Sequence, residues 1–393
     1  MAEPPAAAPT GGACRCHRFR CRRRLQTLAA HVSSAAQAQT PSAKAAEQKE
    51  SELRAEAASW EGVSSVPSRL AFATPAEIPT IDLRSYHSVG CVPGQSLERA
   101  AAQLRAACEN IGFHYITGHG VSDAEIAAGF AAADIYHALP LAAKLEHQMD
   151  TTGFPSGTGY LPLANWKLPK PQKPNLVEAF VVKREHGPRN VTLDKMPWPR
   201  ALGERFRADV ERYAAAMEAL AMRMLPIYAR ALDLPYDYWE PAFRSPLWRL
   251  RLNRYPPKLD GYEEKEFGIS PHVDTSFFTI LAQGAPGLCV HDQKRNQWLR
   301  APVIPGALLV NTGELLRSIT NDTWLATRHY ALHAPSESKG VGEHQQQRLS
   351  IPFFFNATAD FKQAVVPSKV TADCPAKYPP TSYLDGQGVV QGE

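Results

Sequence analysis

The second half of the chain alternates between short apolar runs and turn residues, and this pattern predicts a β-domain. Seven runs of strand-forming residues follow one another within residues 247–356, split by glycine, proline and asparagine. They are LWRLRLNRY, FFTILAQ, GLCVHD, WLRAPV, GALLVNTG, RHYALHA and RLSIPFFFN. Short strands at this density are typical of an all-β sandwich or barrel.

The first half has a mainly helical pattern. Apolar residues recur at helical spacing from Leu97 to Cys108, and residues 122–147 and 200–233 are rich in alanine and leucine with the same period. The runs IPTIDL, FHYITGHG and VEAFVVKRE predict strands among these helices. The expected fold is therefore mainly β with α: a double-stranded β-helix, or jelly roll, with a helical N-terminal region packed against it.

Composition divides the chain into four parts. Residues 1–74 contain few large apolar residues, so we expect a disordered or targeting tail there. Residues 75–245 are expected to form the helix-rich N-terminal region and residues 246–370 the jelly-roll core. Residues 371–393 form a C-terminal tail.

The surplus positive charge of the chain lies in the tail. The net charge is +4, and residues 1–46 hold six arginines and one lysine against one acid. The rest of the chain is therefore close to neutral, which gives no support to nucleic-acid binding. No run approaches the roughly 18–20 apolar residues of a membrane span. We expect a cytoplasmic monomer without nucleic-acid or membrane partners, or an organelle protein if the arginine-rich start is a transit peptide.

A metal-binding pattern lies in the segment GISPHVDTSFFTIL. His272 and Asp274 are two residues apart, so on a strand both side chains point to one face and can bind one ion. An imidazole and a carboxylate are two of the three ligands of the facial triad that holds iron(II) and leaves open positions opposite. His329 and His333 are both candidates for the third ligand, since alternation places them on one face. His344, in a polar loop, is a weaker candidate.

A second polar pair lies on the last predicted strand. Arg348 and Ser350 are also two residues apart and share a face. A guanidinium offers a planar fork that grips a carboxylate, and a hydroxyl adds a third hydrogen bond. The pair suits the distal carboxylate of 2-oxoglutarate, and the alternative is an exposed arginine and serine on an edge strand.

These motifs, taken together, resemble one known family. The order H-x-D, a histidine 55 residues later and then R-x-S is similar to the iron(II)/2-oxoglutarate dioxygenases of the isopenicillin N synthase-like group. The segments IPTIDL, AACENIGFHYITGHGV, KMPWP, PGALLVNTGELL and TND also resemble segments of that family. The resemblance extends from about Ile78 to Phe355.

The resemblance implies roles for the matching residues. Thr327 and Arg328 give His329 the family's Thr-x-His context, which favours His329 over His333 as the third iron ligand. Beyond the metal, the family pattern implies a set of residues that hold 2-oxoglutarate, namely Asn253, Tyr255, Arg348 and Ser350. The gap of 19 residues that precedes the R-x-S pair is longer than is usual in the family.

The resemblance also implies an activity. It predicts an oxidoreductase that uses iron(II), 2-oxoglutarate and O2, with ascorbate as an optional reductant. The enzyme would hydroxylate, desaturate or cyclise a small molecule and release succinate and CO2. Related iron oxidases that do without 2-oxoglutarate, of the isopenicillin N synthase or aminocyclopropane-carboxylate oxidase type, are the alternative, and an inactive jelly-roll binding module is a remote one. We expect Tyr160, Phe180 and Phe277 to contact the substrate, and we identify no charged cluster that defines its charge.

Overall fold

The computed structural model describes residues 70–87, 93–150, 153–164, 174–185, 190–256, 267–332, 347–380 and 382. All of them belong to one compact unit, which spans 63–393. The expectations for His333, for His344 and for most of the N-terminal tail lie outside the described residues.

The helices of the described residues lie mainly before the β-domain, as the sequence predicts. They are α1 (Arg84–His87), α2 (Pro93–Asn110), α3 (Asp123–His137), α4 (Leu141–Leu145), α5 (Gly203–Ala231) and α6 (Glu314–Ile319). A capping box begins α3: the Ser122 hydroxyl accepts from the backbone N–H of Glu125, and the Glu125 carboxylate accepts from that of Ser122. In the described part of the chain, no helix combines the length and apolar character needed to cross a membrane.

The strands form the two sheets of a jelly roll. They are β1 (Thr80–Asp82), β2 (Phe113–Thr117), β3 (Gly159–Leu161), β4 (Glu178–Arg184), β5 (Leu247–Tyr255), β6 (Ile269–His272), β7 (Phe278–Gln283), β8 (Leu288–Asp292), β9 (Gln297–Arg300), β10 (Ala307–Thr312), β11 (His329–Ala331) and β12 (Arg348–Asn356). The major sheet has the order β1-β2-β10-β7-β12-β5-β4-β3, and the minor sheet has the order β6-β11-β8-β9. Only β1 and β2 pair in parallel among these strands.

The two faces of the major sheet have different neighbours. On β12, Ile351, Phe353 and Phe355 are fully buried in the large hydrophobic core, which also contains residues of α3 and α5. Since side chains alternate along a strand, Arg348 and Ser350 lie on the opposite face. The helices therefore cover one face, and the other face is free to carry polar chemistry.

The major sheet crosses the predicted division at 245/246. β4 pairs with β5 along its whole length, from Glu178 opposite Arg254 to Arg184 opposite Trp248. The N-terminal region also supplies β1, β2 and β3 to this sheet. The boundary between residues 245 and 246 therefore separates a mainly helical part of the chain from a mainly β part, and it lies within one continuous sheet. The sheet is continuous because strands that lie among the N-terminal helices pair with strands that are distant in sequence.

Candidate metal centre and adjoining cavity

Three possible ligands meet where β6 and β11 pair. His272 ends β6, His329 begins β11, and the two residues lie opposite each other in the minor sheet. The Nε2 atoms of His272 and His329 lie 3.5 Å and 3.6 Å from Oδ1 of Asp274. One ligand atom from each residue lies within 4.8 Å of the others, and no other such group of three occurs in the described ranges. The structure thus brings together the three residues selected from the sequence.

Strand alternation does not explain the position of Asp274 at this site. β6 ends at His272, so Asp274 lies in the connection to β7 and not on the strand. Its Oδ2 accepts hydrogen bonds from the Thr279 hydroxyl at 2.6 Å and from the Asn311 amide at 2.8 Å. The N–H of Glu314 donates to its backbone carbonyl at 2.7 Å. These contacts orient Oδ1 toward the two imidazoles, and neither Thr279 nor Asn311 was identified from the sequence.

Backbone carbonyls fix the tautomer of both histidines. Nδ1 of His272 lies 2.8 Å from the carbonyl oxygen of Ser270, and Nδ1 of His329 lies 3.0 Å from that of Thr327. A carbonyl only accepts, so each Nδ1 carries the proton and donates it. Each Nε2 therefore presents a lone pair toward Asp274, which is the arrangement that orients histidine ligands in metal sites.

The protonation states also suit a cation. Burial alone would raise the pKa of Asp274, but His329, His272 and the Thr279 hydroxyl hold it below its ordinary value. Burial, and then the neighbouring His272, lower the pKa of His329 to about 4. The carboxylate is charged and the His329 ring is neutral near pH 7, as metal ligation requires. Two imidazoles and one carboxylate match the donor set of a non-haem iron(II) site.

Arg348 is a buried cation with an unsatisfied nitrogen. Its side chain is 1% exposed, and its Nη1 has no hydrogen-bond partner within the described part of the chain. Nε donates to the carbonyl of Ala285 at 3.1 Å, and the guanidinium lies 4.5 Å from the ring centroid of Tyr255. Gly287 makes room for it, since a Cβ there would lie 2.7 Å from Nε. A buried charge of this kind is costly unless an anion pairs with it, so the site fits a carboxylate ligand.

The other predicted 2-oxoglutarate residues surround this arginine. On the paired strands β5 and β12, Tyr255 lies opposite Arg348 and Asn253 lies opposite Ser350. All four side chains are buried. A cation, two hydroxyls and an amide thus share one face of two neighbouring strands.

The aromatic residues expected to contact the substrate lie elsewhere. Tyr160 and Phe180 are opposite each other on β3 and β4 and pack against Tyr136 of α3. Phe277 packs against Phe243 in the same hydrophobic core. The three are at most 1% exposed and do not line the cavity at the metal centre. They face the helices, so we do not assign them to the substrate site.

An open cavity adjoins His272 and Asp274. Its wall includes four lysine and arginine residues that the sequence analysis did not select: Lys183 and Arg184 on β4, and Arg249 and Arg251 on β5. A signal for two of them is present, because an R-x-R pair on a strand places both cations on one face.

Two family models match the chain. Residues 78–201 match the N-terminal domain described as non-haem dioxygenase in morphine synthesis, and residues 249–357 match the 2OG-Fe(II) oxygenase superfamily. Together these segments make up more than half of the 393 residues.

Similar proteins carry matching names. The 2-oxoglutarate-Fe(II) type oxidoreductase hxnY of Emericella nidulans is 28% identical over 322 residues, which cover 79% of this chain and 88% of hxnY. The 2-oxoglutarate-dependent dioxygenase citB of Monascus ruber is 28% identical over 299 residues, covering 72% of this chain and 86% of citB. These names do not favour the oxidase that does without 2-oxoglutarate.

Solved structures share the fold. The rice dioxygenase for auxin oxidation superposes with a TM-score of 0.60 at 25% identity, covering 80% of this chain and 94% of that one. A Neurospora crassa protein, solved in complex with alpha-KG and thymine, superposes with a TM-score of 0.69 at 21% identity, covering 82% and 98%. The chain belongs to the 2OG-Fe(II) oxygenase superfamily, and it is a jelly-roll oxidoreductase whose cofactors are iron(II) and 2-oxoglutarate.

Proposed function

We propose that His272, Asp274 and His329 hold the iron(II) ion of this dioxygenase. The supporting observation is that two Nε2 lone pairs and one carboxylate oxygen converge while the other polar atom of each side chain is already hydrogen-bonded. When bound, iron(II) and 2-oxoglutarate supply the oxidising chemistry that functionalises a C–H bond of a small molecule, with release of succinate and CO2.

The distal carboxylate of 2-oxoglutarate is held by Arg348 in this proposal. The guanidinium is buried and its Nη1 lacks a protein partner in the described residues, so a carboxylate would satisfy both its charge and its hydrogen-bonding capacity. The hydroxyls of Ser350 and Tyr255 donate to the same carboxylate, and Asn253 borders it on β5. In this pocket the protein positions the co-substrate and excludes water from it.

The residues around the metal fix the orientation of its ligands. Ser270 and Thr327 accept from the Nδ1–H groups of the two histidines, which select the tautomer in which Nε2 of the neutral ring carries the lone pair. Thr279 and Asn311 donate to the far oxygen of Asp274 and prevent the carboxylate from rotating. The substrate lies in the cavity next to these ligands and is hydroxylated, desaturated or cyclised there.

Anaerobic addition of iron(II) and then 2-oxoglutarate tests this function. We expect the full chain to bind one iron per molecule and to develop a weak visible charge-transfer band when 2-oxoglutarate is added. The His329→Ala variant should lose both signals, and the exposed Arg205→Gln variant should keep them. A wild-type chain that binds iron without responding to 2-oxoglutarate would contradict the proposal.

We further propose that the enzyme acts as a monomer in the cytoplasm, with import into an organelle as the alternative. The alternative is supported by the six arginines and single acid of residues 1–46. A fluorescent protein fused after residue 74 distinguishes the two, because an organelle signal would concentrate the fluorescence in one compartment. Light scattering of the purified chain measures its oligomeric state.

A further inference from the structure

Three neighbouring strands end at the edge of the major sheet where the proposed 2-oxoglutarate residues lie. β4 begins at Glu178, β5 ends at Tyr255 and β12 begins at Arg348. Glu178 lies opposite Arg254, and Tyr255 lies opposite Arg348. Strand ends open more readily than strand centres, so residues there depend on side-chain contacts to stay in place.

Glu178 is a buried carboxylate at this edge. Its Oε1 accepts from the Arg254 guanidinium at 2.6 Å, and its Oε2 accepts from the Lys144 ammonium at 2.9 Å and from the Tyr160 hydroxyl at 2.7 Å. Burial alone would raise its pKa, but His137, and then Tyr160 and Lys144, hold that pKa below its ordinary value. One charged carboxylate thus joins β3, β4, β5 and α4.

Arg254 extends this network to β12 and α3. Its Nε donates to Oε1 of Gln347 at 2.6 Å, and Nε2 of Gln347 donates to the Asp134 carboxylate at 2.6 Å. Gln347 directly precedes Arg348, and Asp134 is an exposed residue of α3. A continuous chain of hydrogen bonds therefore runs from β4 through β5 and the start of β12 to α3.

The network lies on the face of the sheet opposite the co-substrate residues. Arg254 stands between Asn253 and Tyr255 on β5, and because side chains alternate along a strand, it points away from both. Leu349, which lies opposite Arg254 on β12, packs against the large hydrophobic core and so marks the face that the helices cover. Arg254 and Glu178 therefore act on the co-substrate through the backbone from which its binding residues project.

We propose that Glu178 and Arg254 are positioning residues for 2-oxoglutarate, and that Gln347 extends their restraint to Arg348. This inference rests on the proposed function, since it takes the co-substrate residues as assigned there. Binding groups have to be held within about 0.5 Å of their productive geometry, and contacts behind them supply that restraint. No member of the network belongs to the metal group. Breaking the network should therefore weaken 2-oxoglutarate binding and leave iron binding unchanged.

Variants at the centre and at the outer end of the network test this inference. The full chain is loaded with iron(II) without oxygen, and calorimetry measures the dissociation constant of 2-oxoglutarate. We expect Gln347→Ala to weaken binding about twofold to tenfold, the worth of one hydrogen bond, and Arg254→Met about tenfold to a hundredfold, the worth of a charge-assisted one. Arg254→Lys should recover part of the loss, because an ammonium keeps the charge beside Glu178 but cannot also take the place of Nε at Gln347.

Two acids of one helix provide a matched comparison. Asp134 and Asp123 are both exposed on α3, and Asp134 is the one that accepts from Gln347. Asp134→Ala should weaken 2-oxoglutarate binding by no more than Gln347→Ala does, and Asp123→Ala should leave it unchanged. Equal effects of the two aspartate variants would overturn the part assigned to the outer end.

Melting temperature and iron titration separate positioning from a purely structural role. A lower melting temperature of Arg254→Met with an unchanged dissociation constant for 2-oxoglutarate would overturn the inference, and so would a parallel loss of iron and 2-oxoglutarate binding. If Arg254→Met does not fold, Gln347→Ala decides in the same way, because its side chain is only partly buried. A wild-type chain that does not bind 2-oxoglutarate would instead refute the proposed function.

Discussion

Replacing Arg348 by leucine should separate co-substrate binding from stability. In the proposed complex this guanidinium pairs with a buried carboxylate, and removing one partner of such a pair typically costs about 2–5 kcal/mol. At about 1.4 kcal/mol per tenfold, 2-oxoglutarate should bind roughly 30-fold to 4000-fold more weakly. Arg348→Lys should recover only part of this loss, because an ammonium cannot reproduce the planar fork.

The ligand-free protein should respond in the opposite direction. Without 2-oxoglutarate, Arg348 is a buried cation with an unpartnered Nη1. Exchanging buried charges for apolar side chains of similar volume is often neutral, or stabilising by about 1–4 kcal/mol. We therefore expect the free energy of unfolding of Arg348→Leu, without ligands, to equal or exceed that of the wild type.

Three measurements test these expectations for Arg348→Leu. Calorimetry without oxygen gives the dissociation constant of 2-oxoglutarate, metal analysis gives the iron content, and denaturant titration gives the free energy of unfolding. Iron content should stay level, because Arg348 is not among the proposed ligands. Unaltered 2-oxoglutarate binding, or a fall in stability that accounts for the lost binding, would refute the reasoning. Arg328 would then be the next arginine to test.

Four further results are expected. Changing any one of the three proposed iron ligands to alanine should abolish activity and reduce bound iron, and retained iron in the His329 variant would show that the ligand is misassigned. Thr279→Val removes a 2.6 Å hydrogen bond to Asp274 and should weaken iron binding about tenfold to a hundredfold by titration; unchanged affinity would contradict its orienting role. His114 is fully buried and burial lowers its pKa to about 3, so the unfolded chain takes up a proton first as pH falls below about 6.5. The free energy of unfolding should therefore decrease as pH falls from about 6.5 to 3, by up to roughly 1.4 kcal/mol per pH unit. Denaturant titrations at pH 7 and pH 5 measure this decrease, and the part of it that is due to His114 should be absent from His114→Leu. A chain beginning at Leu70 keeps the pairing of Ala71 with Arg300 and should retain its melting temperature and turnover; a large fall in either would mean that the removed tail contributes to the folded enzyme.

Strand alternation predicted the arrangement of site residues that lie on one strand. Arg348 and Ser350 lie on one strand, so a period of two was enough to place them on one face, opposite Tyr255 and Asn253. The choice of His329 needed the family resemblance, because alternation alone left His333 open. Local pattern and motif order therefore predicted the fold class and selected the three residues that the structure brings together.

Long-range pairing explains what the sequence could not predict. Asp274 lies beyond the end of its strand and is held by Thr279 and Asn311, which no local periodicity connects to it. The opposition of Lys183 and Arg249 depends on the register between β4 and β5. A strand pattern gives two faces but does not say which one the helices cover, so it could not show that Phe180 packs toward α3.

The Asp274 carboxylate contacts residues of both sheets. One oxygen is held by Thr279 of β7 and Asn311 of β10 in the major sheet, and the other faces His272 and His329 in the minor sheet. A metal ion bound there would fasten the two sheets to each other. An ion present at about a thousand times its dissociation constant adds about 4 kcal/mol to the free energy of unfolding. Iron scarcity would then shorten the lifetime of the protein in the cell as well as slow its turnover, so that iron supply sets the amount of enzyme.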